Sequence, residues 1–192
     1  MQASDGPGLF EQVLGAGYGR LADPVQRFHR LTGRQVLTGC VETDAPATRL
    51  ARGLAWCLGT PRQAASGALR FELDVQPDGQ RWTRVFPSQT MQSRLARDGA
   101  WVVEKLGAAT LWFELSERSG QLEMRMVRLR FAGVPCPGWL LPRVTALESG
   151  AGTAGQPPAD ALHFHIKAAL PLVGVVAAYR GHLLLAPEEG AP

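Results

Sequence analysis

Residues 69–86 read Leu-Arg-Phe-Glu-Leu-Asp-Val-Gln-Pro-Asp-Gly-Gln-Arg-Trp-Thr-Arg-Val-Phe. Leu69, Phe71, Leu73 and Val75 alternate with Arg70, Glu72, Asp74 and Gln76, the period of a half-buried strand. Pro77-Asp78-Gly79-Gln80 reads as a four-residue hairpin loop. Such a loop pairs Gln76 with Arg81, Val75 with Trp82, Leu73 with Arg84 and Phe71 with Phe86. The pattern recurs at Arg97-Asp98-Gly99-Ala100, which pairs Leu95 with Val102, Ser93 with Glu104 and Met91 with Leu106. It recurs again at Glu117-Arg118-Ser119-Gly120, which pairs Leu115 with Leu122, Phe113 with Met124 and Leu111 with Met126. In each register apolar residues mostly meet apolar residues, so turn chemistry and hydropathy agree. After Met126 the apolar residues Val127, Leu129 and Phe131 take the other parity, which predicts a β-bulge near Met126–Val127.

Outward from this core, the N-terminal part has helical spacing. Pro7 opens a segment with Leu9, Phe10, Val13 and Leu14 on one stripe. Asp23 reads as an N-cap with Pro24 at the first helical position, and Gly33 ends that helix. A strand over 35–42 and a third helix from Pro46 to Leu58 follow, the latter with Leu50, Leu54 and Cys57 on one side. Gly15-Ala16-Gly17-Tyr18-Gly19-Arg20 is not a dinucleotide loop, because position 20 is Arg and the segment before it is helical. On the C-terminal side, 133–142 is too rich in Pro and Gly for regular structure, and a short strand covers 143–148. A flexible loop is expected at 149–158. Strands at 161–170 and 175–185 are joined at Pro171–Gly174, pairing His163 with His182, His165 with Arg180, Phe164 with Gly181 and Ile166 with Tyr179. With no repeat and no linker, the expectation is one α+β domain over 1–186 and a flexible tail at 187–192. Helices over about 8–60 precede a strongly curved antiparallel meander over about 66–186. That sheet is half-barrel-like, has eight to ten strands and carries the N-terminal helices in or across its concave side.

The chain has 192 residues, 45% apolar and 19% charged, with a mean hydropathy of −0.06, a globular composition. It contains no apolar run long enough for a membrane span, and the N-terminus lacks a signal-peptide pattern. The net charge is +3, and Lys105 and Lys167 are the only lysines among 20 basic residues. The arginines are scattered among acids, which argues against a nucleic-acid face. Cys40, Cys57 and Cys136 have neither metal-ligand nor redox spacing and read as free thiols of a reducing, cytoplasmic compartment.

The principal candidate site is Arg84, Ser93 and Glu104. The registers direct all three toward an otherwise apolar interior, where they must pair with one another or with a ligand. Such a cluster is either a structural ion pair that fixes register or a polar anchor at the bottom of an apolar pocket. Trp82 and Tyr179 fall on interior faces and are secondary candidates. His29 reads as a partner of its helix C-terminus. Trp139 reads as packing the Pro/Gly loop over the sheet edge. His163, His165 and His182 have spacing that could hold a transition metal, but Arg180 opposes them and no carboxylate is local, so no metal is expected. No nucleophile triad, carboxylate dyad or phosphate loop stands out, and no catalytic residue is assigned.

The order of several short motifs resembles the bacterial family catalogued as domain of unknown function 4166. They are Arg20-Leu21, Pro24-Val25, Phe28-His29, Gly33-Arg34, Arg81-Trp82-Thr83-Arg84-Val85-Phe86, Ser93 and Val103-Glu104-Lys105-Leu106-Gly107. They continue with Gly133-Val134-Pro135-Cys136-Pro137, Leu141-Pro142, Leu170-Pro171-Leu172-Val173-Gly174 and Tyr179-Arg180-Gly181, across roughly 10–185. His163 and His165 depart from the family's more usual residues. The resemblance implies a module that stands alone or follows a saccharopine-dehydrogenase-like nucleotide-binding domain. That domain is not in this sequence, so any redox role would need a separate partner. A curled sheet of this size, covered by helices, can enclose an apolar cavity, so the chain is expected to bind a hydrophobic small molecule between sheet and helices and to need no cofactor. The alternatives are an accessory domain docking on a dehydrogenase-like partner, and an enzyme using Arg84 and Glu104.

Overall fold

The computed structural model describes residues 6–150 and 160–185. Helix α1 (Leu9–Leu14) runs into a 3-10 segment (Gly15–Arg20) and then helix α2 (Asp23–Arg30). Strand β1 (Arg34–Thr43) and helix α3 (Arg49–Leu58) follow. The meander continues with β2 (Ala65–Gln76), β3 (Gly79–Val85), β4 (Thr90–Asp98), β5 (Trp101–Leu106), β6 (Ala109–Arg118) and β7 (Gln121–Phe131). A two-residue strand β8 (Val134–Pro135) and a 3-10 turn (Gly138–Leu140) lead to β9 (Arg143–Ser149), β10 (Ala161–Leu170) and β11 (Gly174–Leu184). The expected loop at 149–158 falls largely, and the tail at 187–192 wholly, outside the described residues.

The sheet is a closed antiparallel barrel of ten strands rather than a half-barrel. Two seams close it. β1 pairs with β2 on one side and with β11 on the other, from Thr38↔Leu184 to Thr43↔Tyr179. β7 pairs with β6 and also with β9, from Leu122↔Glu148 to Met124↔Ala146. Closure leaves no long edge strand with unpaired N–H and C=O groups.

The hairpin turns are tighter than the four-residue loops read from the sequence. Gln76 pairs with Gly79, Asp98 with Trp101 and Arg118 with Gln121, so each turn has two central residues. Ser119 and Gly120 both take positive φ, the twist that suits right-handed strands. Each register therefore moves by two residues: Arg84 lies opposite Phe71, Ser93 opposite Leu106 and Glu104 opposite Leu95. A shift of two preserves parity, so every side chain keeps the face that alternation assigned to it. The bulge falls at the expected place. Phe113 pairs with Met126 and Trp112 with Arg128, leaving Val127 unopposed.

The helices close the ends. α1 and α2 plug the end that carries the 77–78, 99–100 and 119–120 turns, where Ala22 N–H donates to the Gly120 carbonyl at 2.8 Å. Phe10 and Phe28 are buried there, with ring centroids 6.0 and 5.8 Å from Trp82. Asp23 is not the N-cap of α2; Ala22 holds that position, and the Asp23 carboxylate lies 3.6 Å from Arg27. α3 starts later than expected, after Pro46, with Thr48 Oγ1 accepting from Ala51 N–H at 3.1 Å. Its buried face is Ala51 and Ala55, whose small side chains allow close packing on Val176. Leu50 is exposed, and Leu54 and Cys57 are half-buried.

Two glycines permit the β1–β11 seam. A Cβ at Gly39 would sit 1.9 Å from the His182 carbonyl oxygen, and one at Gly181 would sit 2.1 Å from that of Cys40. Gly39→Val should therefore destabilise by about 1–3 kcal/mol or prevent closure. Gly53, exposed inside α3 with nothing within 4 Å of a built Cβ, should behave oppositely. Gly53→Ala should stabilise by about 0.5–1 kcal/mol. Thermal melts of the two variants check both signs.

Candidate functional site

Alternation along β3, β4 and β5 turns Arg84, Ser93 and Glu104 into the barrel. Arg84 Nη1 donates to Ser93 Oγ at 3.1 Å, and Arg84 Nη2 lies 3.8 Å from Glu104 Oε1. The guanidinium also sits over Trp82, 4.9 Å from the ring centroid, and 5.6 Å from that of Phe71. Burial among aromatic faces strengthens each of these electrostatic contacts relative to water. At 3.8 Å the Glu104 carboxylate is too far from Arg84 for a hydrogen bond.

A second interior pair was not legible as such. His29 is buried, with its Nε2 2.6 Å from Glu148 Oε2, so it is not the solvent-side partner of its helix C-terminus. The tilt of α2 into the plugged end puts its last turn against β9 and not in water. The imidazole stacks on Phe10 at 3.8 Å, and its Nδ1 has no hydrogen-bond partner among the described residues. Glu148 lies on the inward face of the short strand β9, where the alternation Val144, Ala146, Glu148 places it. That alternation was the available signal.

Tyr179 joins the same region from β11. It is buried, and its hydroxyl makes no hydrogen bond among the described residues. Burial pushes its phenol above the usual tyrosine range, and Arg84 only partly offsets this. The group faces a cavity of about 140 Å³ whose polar wall is Thr60, Arg84, Glu104, Glu148 and Tyr179. The remaining wall is aliphatic, aromatic and thioether, including Leu95, Val102, Phe113, Met124, Met126 and Ile166. A smaller space of about 30 Å³ beneath Phe28 shares Trp82, Arg84, Glu148, Ile166 and Tyr179 with the first. The polar cluster thus divides two apolar chambers. The larger one reaches the far end of the barrel between α3 (Leu54, Leu58) and Phe131, Pro142 and Leu170.

The other singled-out residues lie elsewhere. Trp82 is inside the barrel, buried beside Arg84. Trp139 does not pack over the sheet edge; it is 75% exposed, because the Gly138–Leu140 turn lifts it off the barrel. His163 and His182 face each other on the outer surface at 5.8 Å, and His165 lies opposite Arg180, which is ion-paired with Glu42 at 2.8 Å. Burial and the neighbouring His182 hold the His163 imidazole below its usual range. Among the described residues no group of three or more His, Cys, Asp or Glu is placed to hold a metal.

Residues 21–183 match the family described as domain of unknown function (DUF4166). The chain belongs to that family. The comparison with curated proteins finds no match. The interior polar residues His29, Arg84, Ser93, Glu104, Glu148 and Tyr179 all fall within the DUF4166 match, whereas α1 with Phe10 precedes it. No helix among the described residues is long and apolar enough to cross a membrane.

Two measurements follow from this geometry. Glu104→Gln leaves the Arg84 charge buried and should cost about 3 kcal/mol. Glu72→Gln, on the outer face with Arg70 and Arg34, should cost less than about 1 kcal/mol. Replacing Arg84 and Glu104 together by apolar residues should recover most of the loss, as denaturant unfolding will read. The second measurement is an alkaline titration of the only two tyrosines, Tyr18 and Tyr179. Burial pushes Tyr18 up to about 12, and its hydroxyl donates to the Gln26 carbonyl at 2.7 Å. Unfolded tyrosine ionises near pH ~10. The stability held by both phenols is therefore complete below about pH 10 and is lost as pH rises toward the folded values. Tyrosinate absorbance should stay flat through that range in the native protein and appear together with unfolding.

Proposed function

We propose that the chain is a non-catalytic binding module for an amphipathic small molecule held inside the barrel. One observation supports this reading above the others. The apolar cavity ends on polar groups whose hydrogen-bonding capacity is unmet within the described residues, the Glu104 carboxylate and the Tyr179 hydroxyl. Polar groups withdrawn from water need partners, and a ligand with one polar end supplies them. A space of this order accommodates a ring-sized group or one branch of an alkyl chain, and a longer tail has the opening beside α3.

Charge narrows the ligand. Arg84 already lies beside Glu104 and His29 beside Glu148, so the open positions of the cluster are acceptors on Glu104, which take a hydrogen-bond donor more readily than a further anion. The fitting polar end is a hydroxyl or an ammonium, and a fatty-acid carboxylate is disfavoured.

The test uses N-phenyl-1-naphthylamine, an apolar fluorophore with one N–H donor. Its emission should rise with the wild-type protein and stay at the buffer level with Ala146→Trp, which fills the cavity from β9. Dodecylamine should displace the probe at least about tenfold more effectively than dodecanoate, in keeping with a difference of one charge contact in a partly dry site. Native mass spectrometry of protein taken from its own host should show a retained small molecule. Equal probe binding by wild type and Ala146→Trp, or preference for the carboxylate, would overturn the proposal.

A further inference from the structure

Among the described residues, five of the seven large hydrophobic side chains left in solvent lie at one end of the barrel, the other two being Val36 and Leu184 on strands β1 and β11. Leu50 and Trp56 on α3 are 62% and 68% exposed, Val134 and Trp139 are 65% and 75% exposed, and Leu172 is fully exposed. Hydrogen bonds tie their segments together. Thr48 Oγ1 donates to the Val173 carbonyl at 3.0 Å, and Ala108 N–H donates to the Cys57 carbonyl at 3.0 Å. Ala132 N–H donates to the Ala108 carbonyl at 2.8 Å. Thus α3, the β10–β11 turn and the 132–142 segment form one rim, and the larger cavity reaches it at Leu54, Phe131, Pro142 and Leu170. Leu172 is displayed on a positive φ of 63°, a conformation that a branched apolar side chain rarely adopts.

The rim carries a local excess of basic side chains. Arg49, Arg52, Arg62 and Arg143 are exposed and have no ion-pair partner among the described residues. Asp44 is the one acidic residue in the segments 44–64, 86–89, 106–109, 131–143 and 170–174. Elsewhere most arginines are matched, as Arg20 is with Glu117, Arg70 with Glu72 and Arg180 with Glu42, while Arg128 and Arg130 lie over tryptophan rings and Arg81 and Arg97 have no ion pair among the described residues. Arg52 and Arg62 line a common surface cleft with Gln63, which suits a phosphate.

We infer that this rim docks on an anionic phospholipid surface, with Trp56, Trp139 and Leu172 entering the interface and the arginines meeting lipid phosphates. Single apolar side chains projecting from three separate segments match a deformable medium better than a flat protein face. Tryptophan beside arginine is the composition that favours the headgroup boundary. Docked this way, the cavity mouth faces the acyl phase. The inference does not require the cavity to be occupied.

The 192-residue chain is mixed with vesicles of phosphatidylglycerol and phosphatidylcholine at about 3:7, or of phosphatidylcholine alone, and followed by co-sedimentation and tryptophan emission. Anionic vesicles should bind the protein, shift its emission to the blue and release it as salt rises, while neutral vesicles should bind at least about tenfold more weakly. Arg52→Glu with Arg62→Glu should weaken anionic binding at least about tenfold. Trp56→Ala with Trp139→Ala should abolish the blue shift. Circular dichroism melts establish that both variants fold, and should one pair unfold, the other pair decides. Absence of binding at low salt, equal binding to both vesicle types, or binding unchanged in the variants would overturn the inference. So would self-association that Trp56→Asp abolishes, or an acidic protein partner that protects Trp139 while vesicles do not.

Discussion

The barrel depends on its first strand meeting its last. β1 lies between β2 and β11, so the N- and C-terminal parts of the chain are neighbours in one hydrogen-bonded ring. That seam draws two backbones so close that only glycine fits at positions 39 and 181. Without it β1 and β11 would both be edges, and the inward faces of ten strands would be open to water. Every property of the interior follows from closure: the dry apolar walls, the strengthened contacts of Arg84, and a rim on which the helices can seat.

Closure also makes the interior polar groups mutually dependent. His29 comes from the plug and Glu148 from β9, so their contact fastens α2 to the strand that forms the shorter seam. Arg84, Ser93 and Glu104 come from three consecutive strands and meet because the 86–89 connection sets Val85 against Thr90 and the 99–100 turn sets Asp98 against Trp101, which brings the three side chains to one stretch of the inner wall. Tyr179 arrives from the opposite side of the sequence and completes the wall. Removing one charge strands another, so the members of the set stabilise the barrel only together. The ends of the barrel then divide the labour. One is sealed by Phe10, Phe28 and His29; the other keeps an opening next to exposed tryptophans and unmatched arginines.

Much of this was legible in the residue order, because a strand's period of two is local. Leu69-Arg70-Phe71-Glu72 states which side chains share a face, and a register error of two residues leaves that assignment intact. Arg84, Ser93 and Glu104 were therefore directed inward correctly even though their cross-strand neighbours were not. The break in parity at Val127 marked its bulge for the same reason. What lay beyond reach depended on pairings outside the hairpins. Whether a curled meander closes is settled by β1 reaching β11 and β7 reaching β9, and neither contact leaves a mark within a hairpin. His29 showed the same limit: from its own helix it was a terminal histidine near solvent, and only the docking of α2 brought it to Glu148, 119 residues away.

By itself the sequence determined the antiparallel meander, the faces of its strands, the position of the bulge and the family to which the chain belongs. Tertiary structure alone decided that the meander is a closed ring, that α1 and α2 plug one end while α3 rims the other, and that Glu148 and Tyr179 complete a cluster begun by Arg84 and Glu104. The reason is physical: side-chain parity is a property of neighbouring residues, whereas closure is decided by hydrogen bonds and burial between strands that no hairpin joins, β7 with β9 and, across more than a hundred positions, β1 with β11.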